Sequence, residues 1–131
     1  MDLFMYVFSL ESQDKLETCC PDLIRLFNEI IKHRDCKVIY GRRGKEEQDR
    51  LFKDGKSKLN YPKSYHNRYP SRAVDVVPYF SKRPHVRWDD IESFKAFGNF
   101  VLGVAAVLDI PVEWGGNWKK FVDMAHWQIR E

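Results

Sequence analysis

The sequence has little of what a disulfide-stapled or repetitive protein needs. There are three cysteines, Cys19, Cys20 and Cys36. An odd count with an adjacent pair does not read as a disulfide framework and suits a chain made in a reducing cytoplasm. No C-x-x-C occurs, which argues against a thiolate zinc site. Internal repeats, low-complexity tracts and Gly/Ser linkers are also missing, so nothing marks a solenoid or a tethered second unit. A single domain over residues 1–131 is expected. Charge is nearly balanced: 22 Lys and Arg against 19 Asp and Glu, a net charge of +3. No basic run with interleaved aromatics marks a nucleic-acid face. The apolar start, MDLFMYVFSL, carries Asp2 and has neither a basic lead nor a small-residue cleavage site. It does not read as a signal peptide and is too short to cross a bilayer. It is expected to pack into the core as a strand or an extended arm, with no membrane insertion.

What is present is an ordinary globular balance, 44% hydrophobic and 31% charged, with a high aromatic share of 15% to fill a small core. Residues 21–33 (PDLIRLFNEIIKH) place Leu23, Leu26, Phe27, Ile30 and Ile31 at helical spacing behind a first-turn proline. Residues 36–40 (CKVIY) read as a short strand ending at Gly41, and 45–52 (KEEQDRLF) as a helix. The polar stretch 54–72 is long for a loop inside a domain, and such loops are usually functional or mobile. Residues 73–79 (AVDVVPY) read as a buried strand. Asp89 and Asp90 open a helix running to about Leu108, with Ile91, Phe94, Phe97, Val101 and Val104 on one face. Residues 111–114 make a short strand, GGNW a turn, and 125–129 the last strand. Helices first and last flanking a few short strands make α+β the natural class.

Asp75 is an anomaly, a carboxylate inside the apolar run Ala73, Val74, Val76, Val77. Burying it is costly unless it meets a metal or a cation. A lone aspartate there is more often a salt bridge or a turn cap. His66 lies nine residues earlier, in the polar loop that leads into this strand, so the two side chains can converge. Together they offer one nitrogen and one oxygen, both acceptable to zinc. His126 follows Asp123 by three. On a regular strand those two would point to opposite faces, so Asp123 belongs in the incoming turn or at a bulge. Gln128 would share the face of His126, and Trp127 would face the other way. His66, Asp75 and His126 together would leave a zinc ion one open position, the mark of a catalytic rather than a structural site. Arg43 follows a strand and precedes a helix, where loop residues reach clefts. A guanidinium fixed there binds a carboxylate or a developing oxyanion, although from position alone a solvated arginine is the commoner outcome. His33 and His85 have no such context and read as surface residues.

These residues together resemble a known family. Ser64-Tyr-His66, Ala73-Val-Asp75 and Asp123-Met-Ala-His126 are similar in kind and order to the Ser-x-His, Ala-x-Asp and Asp/Glu-x-x-His motifs of the zinc D-Ala-D-Ala carboxypeptidases and L-alanyl-D-glutamate endopeptidases. Gly41-Arg-Arg43 followed by Glu47-Gln48 resembles the family's Gly-x-Arg segment and the helix after it. Glu113-Trp-Gly-Gly-Asn-Trp118 resembles the Trp-Gly-Gly-Asp-Trp that precedes the last histidine. The resemblance covers roughly residues 12–129.

The resemblance implies the α+β fold shared with Hedgehog signalling domains, a small antiparallel sheet flanked by helices. It implies Zn2+ on His66, Asp75 and His126, Asp123 as catalytic base, Arg43 steadying the substrate carbonyl and Ser64 lining the substrate cleft. Two departures are informative. The gap from His66 to Asp75 is two residues longer than in the commonest form, through an insert resembling that of phage members. The base is Asp rather than Glu, again similar to phage endopeptidases. Asn117 also stands where the family segment has Asp. The function implied is cleavage of the L-Ala–D-Glu bond of the peptidoglycan stem peptide by a monomeric phage endolysin. Such an enzyme would wait in the host cytoplasm until lysis and then act on periplasmic or cell-wall peptidoglycan. Two alternatives stay open at this point: a D-Ala-D-Ala carboxypeptidase using the same site, and a non-catalytic wall-binding module.

Overall fold

Leu23, Leu26, Phe27 and Ile30 recur at helical spacing, and one helix buries all four. A proline opens it, where a missing N–H leaves no hydrogen bond unmade. The computed structural model describes residues 5–131. In chain order these form α1 (Leu10–Leu16), α2 (Pro21–Ile30), β1 (Cys36–Tyr40), α3 (Lys45–Lys53), β2 (Ala73–Pro78), α4 (Ile91–Leu108), β3 (Val112–Trp114) and β4 (His126–Ile129). Single 3-10 turns lie at Tyr65–Asn67 and Gly115–Asn117. The strands make one antiparallel sheet in the order β1-β2-β4-β3. The class is α+β, as the sequence implied.

Strand alternation sorts side chains onto two faces. On one face Val38, Val74, Val76, Val112, Trp114, Trp127 and Ile129 meet the helical residues Leu16, Leu23, Leu26, Phe27, Ile30, Phe97 and Val101 in a single core. Trp127 is fully buried, stacked on Trp114 at 5.5 Å and edge-on to Phe27 at 6.1 Å. Burial of each large apolar side chain contributes roughly 1.5–3 kcal/mol. Gly98 lets α4 approach Trp114 closely, since a Cβ there would come within 2.3 Å of the indole. All three cysteines are free and buried. The opposite face of β2 and β4 carries Asp75, His126 and Gln128.

Several boundaries differ from expectation. Of the expected N-terminal arm, residues 1–4 lie outside the described residues. The rest does not pack into the core: Met5, Tyr6, Val7 and Leu10 are exposed, and Phe8 alone touches the core. The cause is local. Ser9 Oγ accepts from the Ser12 N–H at 3.1 Å and starts α1, a helix the sequence reading did not anticipate. The Val38 N–H at the edge strand β1 then donates to Ser12 Oγ at 3.0 Å. The donor that an added strand would have used is thus already taken.

Helix α2 ends at Ile30 rather than His33, because the last turn tightens to i→i+3 bonds, such as His33 N–H to the Ile30 carbonyl at 2.9 Å. Helix α4 begins at an Asp90 cap that accepts from the Ser93 N–H at 3.1 Å. It is long and apolar enough to cross a bilayer by length and composition alone, and here it packs Phe94, Phe97, Val101 and Ala105 inward. Ile91 and Val104, expected on that face, are respectively exposed and half-buried. The final element is the expected strand, β4, which starts at His126 rather than at Ala125.

Candidate metal centre and its cleft

The register of β2 against β4 sets Asp75 directly opposite His126. Both side chains therefore leave the sheet on the face away from the core. Asp123 lies in the turn that enters β4, as the spacing required, and its backbone carbonyl accepts from the His126 N–H at 3.2 Å. Gly115 makes that turn possible: a Cβ there would meet the Asp123 carbonyl oxygen at 2.4 Å. His66 arrives from the long loop on the 3-10 turn. Ser64 caps that turn, its Oγ accepting from the His66 N–H at 3.2 Å, while Asn67 Oδ1 accepts from the Ser64 N–H at 3.0 Å. The Arg43 N–H donates to the His66 carbonyl at 2.7 Å, and Asn67 Nδ2 donates to the Arg43 carbonyl at 3.1 Å. The loop is thus pinned to the β1–α3 connection by one backbone bond and one from the Asn67 side chain.

One ligand atom from each of His66, Asp75 and His126 falls within a group spanning 4.8 Å or less. His66 Nδ1 donates to the Gly41 carbonyl at 2.8 Å, which directs Nε2 to the site. That Nε2 is buried with no hydrogen-bond partner, 3.3 Å from Asp75 Oδ1. His126 Nδ1 lies 3.2 Å from the same oxygen, and its Nε2 meets Gln128 Oε1 at 2.8 Å. Tetrahedral zinc with bonds of about 2.0–2.1 Å sets its ligand atoms roughly 3.3 Å apart. The donor set, the orphaned nitrogen and the two spacings around Asp75 Oδ1 therefore fit zinc. Each histidine also has its second ring nitrogen held by an oxygen acceptor, the usual way such ligands are oriented.

Arg43 is buried, whereas Arg42 beside it is exposed. Arg43 Nη2 donates to Asp75 Oδ2 at 2.9 Å and Nη1 to Gln48 Oε1 at 3.3 Å, with Tyr40 stacked on the guanidinium at 4.3 Å. One oxygen of Asp75 is thereby held by arginine and the other is left facing the histidines. Burial alone would raise the Asp75 pKa, but the charges and hydrogen bonds of His66 and His126 outweigh it and hold the carboxyl well below the usual range. Burial disfavours the charged form of His126, and its bond to Asp75 reverses this and raises its pKa. Asp123 as a residue is exposed, yet its carboxyl is crowded by the cleft wall. That desolvation, and after it the charge of Asp75, push its pKa up.

Over this centre lies a cleft of about 880 Å³, lined among others by Arg43, Ser64, His66, Asp123 and His126. The structure thus brings together every site residue named from the sequence, with Asp75 at its floor. Ser64 lines the cleft and also caps the turn bearing His66. His33 is exposed and pairs with Glu29, and His85 stacks on Tyr79, both away from the centre. Gln48 went unnoticed as a site-building residue. It is fully buried on an otherwise polar helix and ties Arg43 to the loop through Ser57 and Leu59 at 2.9 and 2.6 Å. Trp118, packed 5.1 Å from the His126 ring, was likewise assigned no role. Both lie in segments that carry the family resemblance, but neither segment shows by itself what its side chain touches.

Comparisons with known proteins place the chain in a family. A family model described as phage L-alanyl-D-glutamate peptidase matches residues 4–129. The chain is similar to the crystal structure of the Serratia marcescens L-Ala D-Glu endopeptidase ChiX, with 27% identity and a TM-score of 0.81, covering 98% of this chain and 93% of that one. No curated protein matches at significant similarity.

Proposed function

The chain belongs to the phage L-alanyl-D-glutamate peptidase family, and from that premise we propose that it is a zinc peptidase cutting the L-Ala–D-Glu bond of peptidoglycan stem peptides during host lysis. The observation that carries this reading is the buried trio His66, Asp75 and His126 opening into a cleft that also holds Asp123. Three protein ligands with one side open is the plan of a catalytic rather than a structural zinc. When bound there, zinc supplies Lewis acidity, polarising a carbonyl and bringing the pKa of water toward neutrality.

The chain's own residues do the rest. Asp123 takes a proton from the attacking water and passes it to the departing amine of D-Glu. Arg43 holds Asp75 by Oδ2 and steadies the charge developing on the carbonyl oxygen. Ser64 keeps His66 in place and shapes the cleft wall. The reading extends to a monomer that stays in the host cytoplasm until a membrane pore opens.

The test is metal analysis and muropeptide digestion on one purified sample, with and without a chelator. About one zinc per chain and a chelator-sensitive new N-terminal D-Glu are expected. Free D-Ala would move the reading to a carboxypeptidase. Binding to sacculi without release of any amino group would leave a wall-binding module. Asp123→Ala should keep the metal and lose activity, and parallel loss of both would make Asp123 a ligand instead.

A further inference from the structure

The mechanism above leaves four lysines of the same cleft without a task. Lys56, Lys58 and Lys63 come from the long loop and Lys120 from the segment before Asp123; all four line the cleft and are exposed. Several lysines elsewhere pair with carboxylates three or four residues away: Lys15 with Glu11 at 2.9 Å, Lys32 with Glu29 at 3.3 Å and Lys45 with Asp49 at 2.8 Å. Among the described residues, none of the four cleft lysines has such a partner. Lys58 instead places its ammonium 4.9 Å over the Phe121 ring, joining the two lips of the cleft. Asp123 supplies the one carboxylate in the lining, and Asp75 below it is already engaged by Arg43. Four uncompensated ammonium groups on one concave surface create a positive field that draws anions to the catalytic centre.

Resting on the hydrolysis proposed above, we infer that this lysine rim is a carboxylate subsite, selecting stem peptides whose D-Glu keeps a free α-carboxylate over those in which that group is amidated. The chemistry of the bond explains the placement. The D-Glu Cα bears both the scissile nitrogen and the α-carboxylate, and the peptide continues from the γ-carboxyl. The negative group is therefore fixed beside the bond being cut and enters the cleft with it. Amidation keeps nearly the same shape and removes the charge. Single exposed ion pairs are weak and screened by salt, so the selection is a sum over several lysines and is salt-dependent.

The experiment compares N-acetyl-L-Ala-γ-D-Glu-L-Lys with the same peptide carrying D-isoglutamine, reading kcat/KM at low and high sodium chloride. The carboxylate peptide should be cleaved about tenfold better at low ionic strength, and the ratio should fall as salt rises. In the double variant Lys58→Gln/Lys120→Gln the ratio should move toward one while zinc content stays at the wild-type level. Equal cleavage of the two peptides by the wild type would overturn the subsite and leave the hydrolytic reading intact. A preference that survives both salt and the double substitution would overturn it too, by placing the selection elsewhere. Failure to cut either peptide would remove the hydrolytic reading, and the subsite with it.

Discussion

His126 and Trp127 are neighbours in the chain and serve opposite faces of the same sheet. Trp127 enters the core between Trp114 and Phe27, with no exposed surface. His126 turns toward Asp75, His66 and the cleft. The two faces solve different physical problems. The core face gains from area removed from water, and it does so even at the cost of leaving the buried indole Nε1 of Trp127 without a partner. The cleft face buries a carboxylate and two imidazoles, which is tolerable because Arg43 donates to Asp75, the Gly41 carbonyl holds His66 and Gln128 holds His126, with Gln48 in turn accepting from Arg43. Stability is concentrated on one side of β4 and chemistry on the other.

Paired substitutions break that comparison. The largest effect is expected from His126→Ala, which should abolish zinc binding and lower hydrolysis by at least about three orders of magnitude. A fully loaded variant, measured by metal analysis, would sink the ligand assignment. Trp127→Ala should do the reverse, costing about 3–5 kcal/mol in urea unfolding while leaving zinc binding intact in whatever fraction remains folded. Gln128→Met sharpens the contrast within the cleft face. It removes the acceptor on His126 Nε2 at little change in size and should weaken zinc affinity about 10–100-fold, read by chelator competition, with the thermal melt of the zinc-depleted protein nearly unchanged. Wild-type affinity would show that Gln128 does not orient the ligand.

Smaller effects lie outside the sheet faces. Ser12→Ala leaves the buried Val38 N–H without its acceptor and should cost about 1–3 kcal/mol, seen as a lower urea midpoint. Val7→Ser, at an 80% exposed position, should change stability by no more than about 0.5 kcal/mol. A larger loss would mean that the arm preceding α1 packs after all.

Much of this was legible in the residues, for reasons that differ by element. The strand 36–40 was read with its observed ends, because a β-branched apolar run bounded by a glycine is a local signal. The candidate site residues stood out through motif order and through the misfit of Asp75 in an apolar strand. Helix α1 was not, because its cue is a single serine cap followed by mixed residues, and the apolar run before it read as strand. Gln48 stayed hidden because a buried glutamine and a solvated one look alike on a helix made mostly of charged residues. The rim lysines had the same problem: Lys56 and Lys120 are far apart in the chain and share a cleft only after folding.

By itself, then, the sequence determined the element types after α1, the α+β class, the candidate ligands and the placement of Asp123 outside the strand, since periodicity, caps and spacing act within a few residues. Tertiary structure alone decided which nitrogen of each histidine faces the centre, that one oxygen of Asp75 belongs to Arg43, and that four lysines ring one cleft. Those outcomes depend on strand register and on hydrogen bonds between residues as far apart as Asp75 and His126, and no local pattern carries that information.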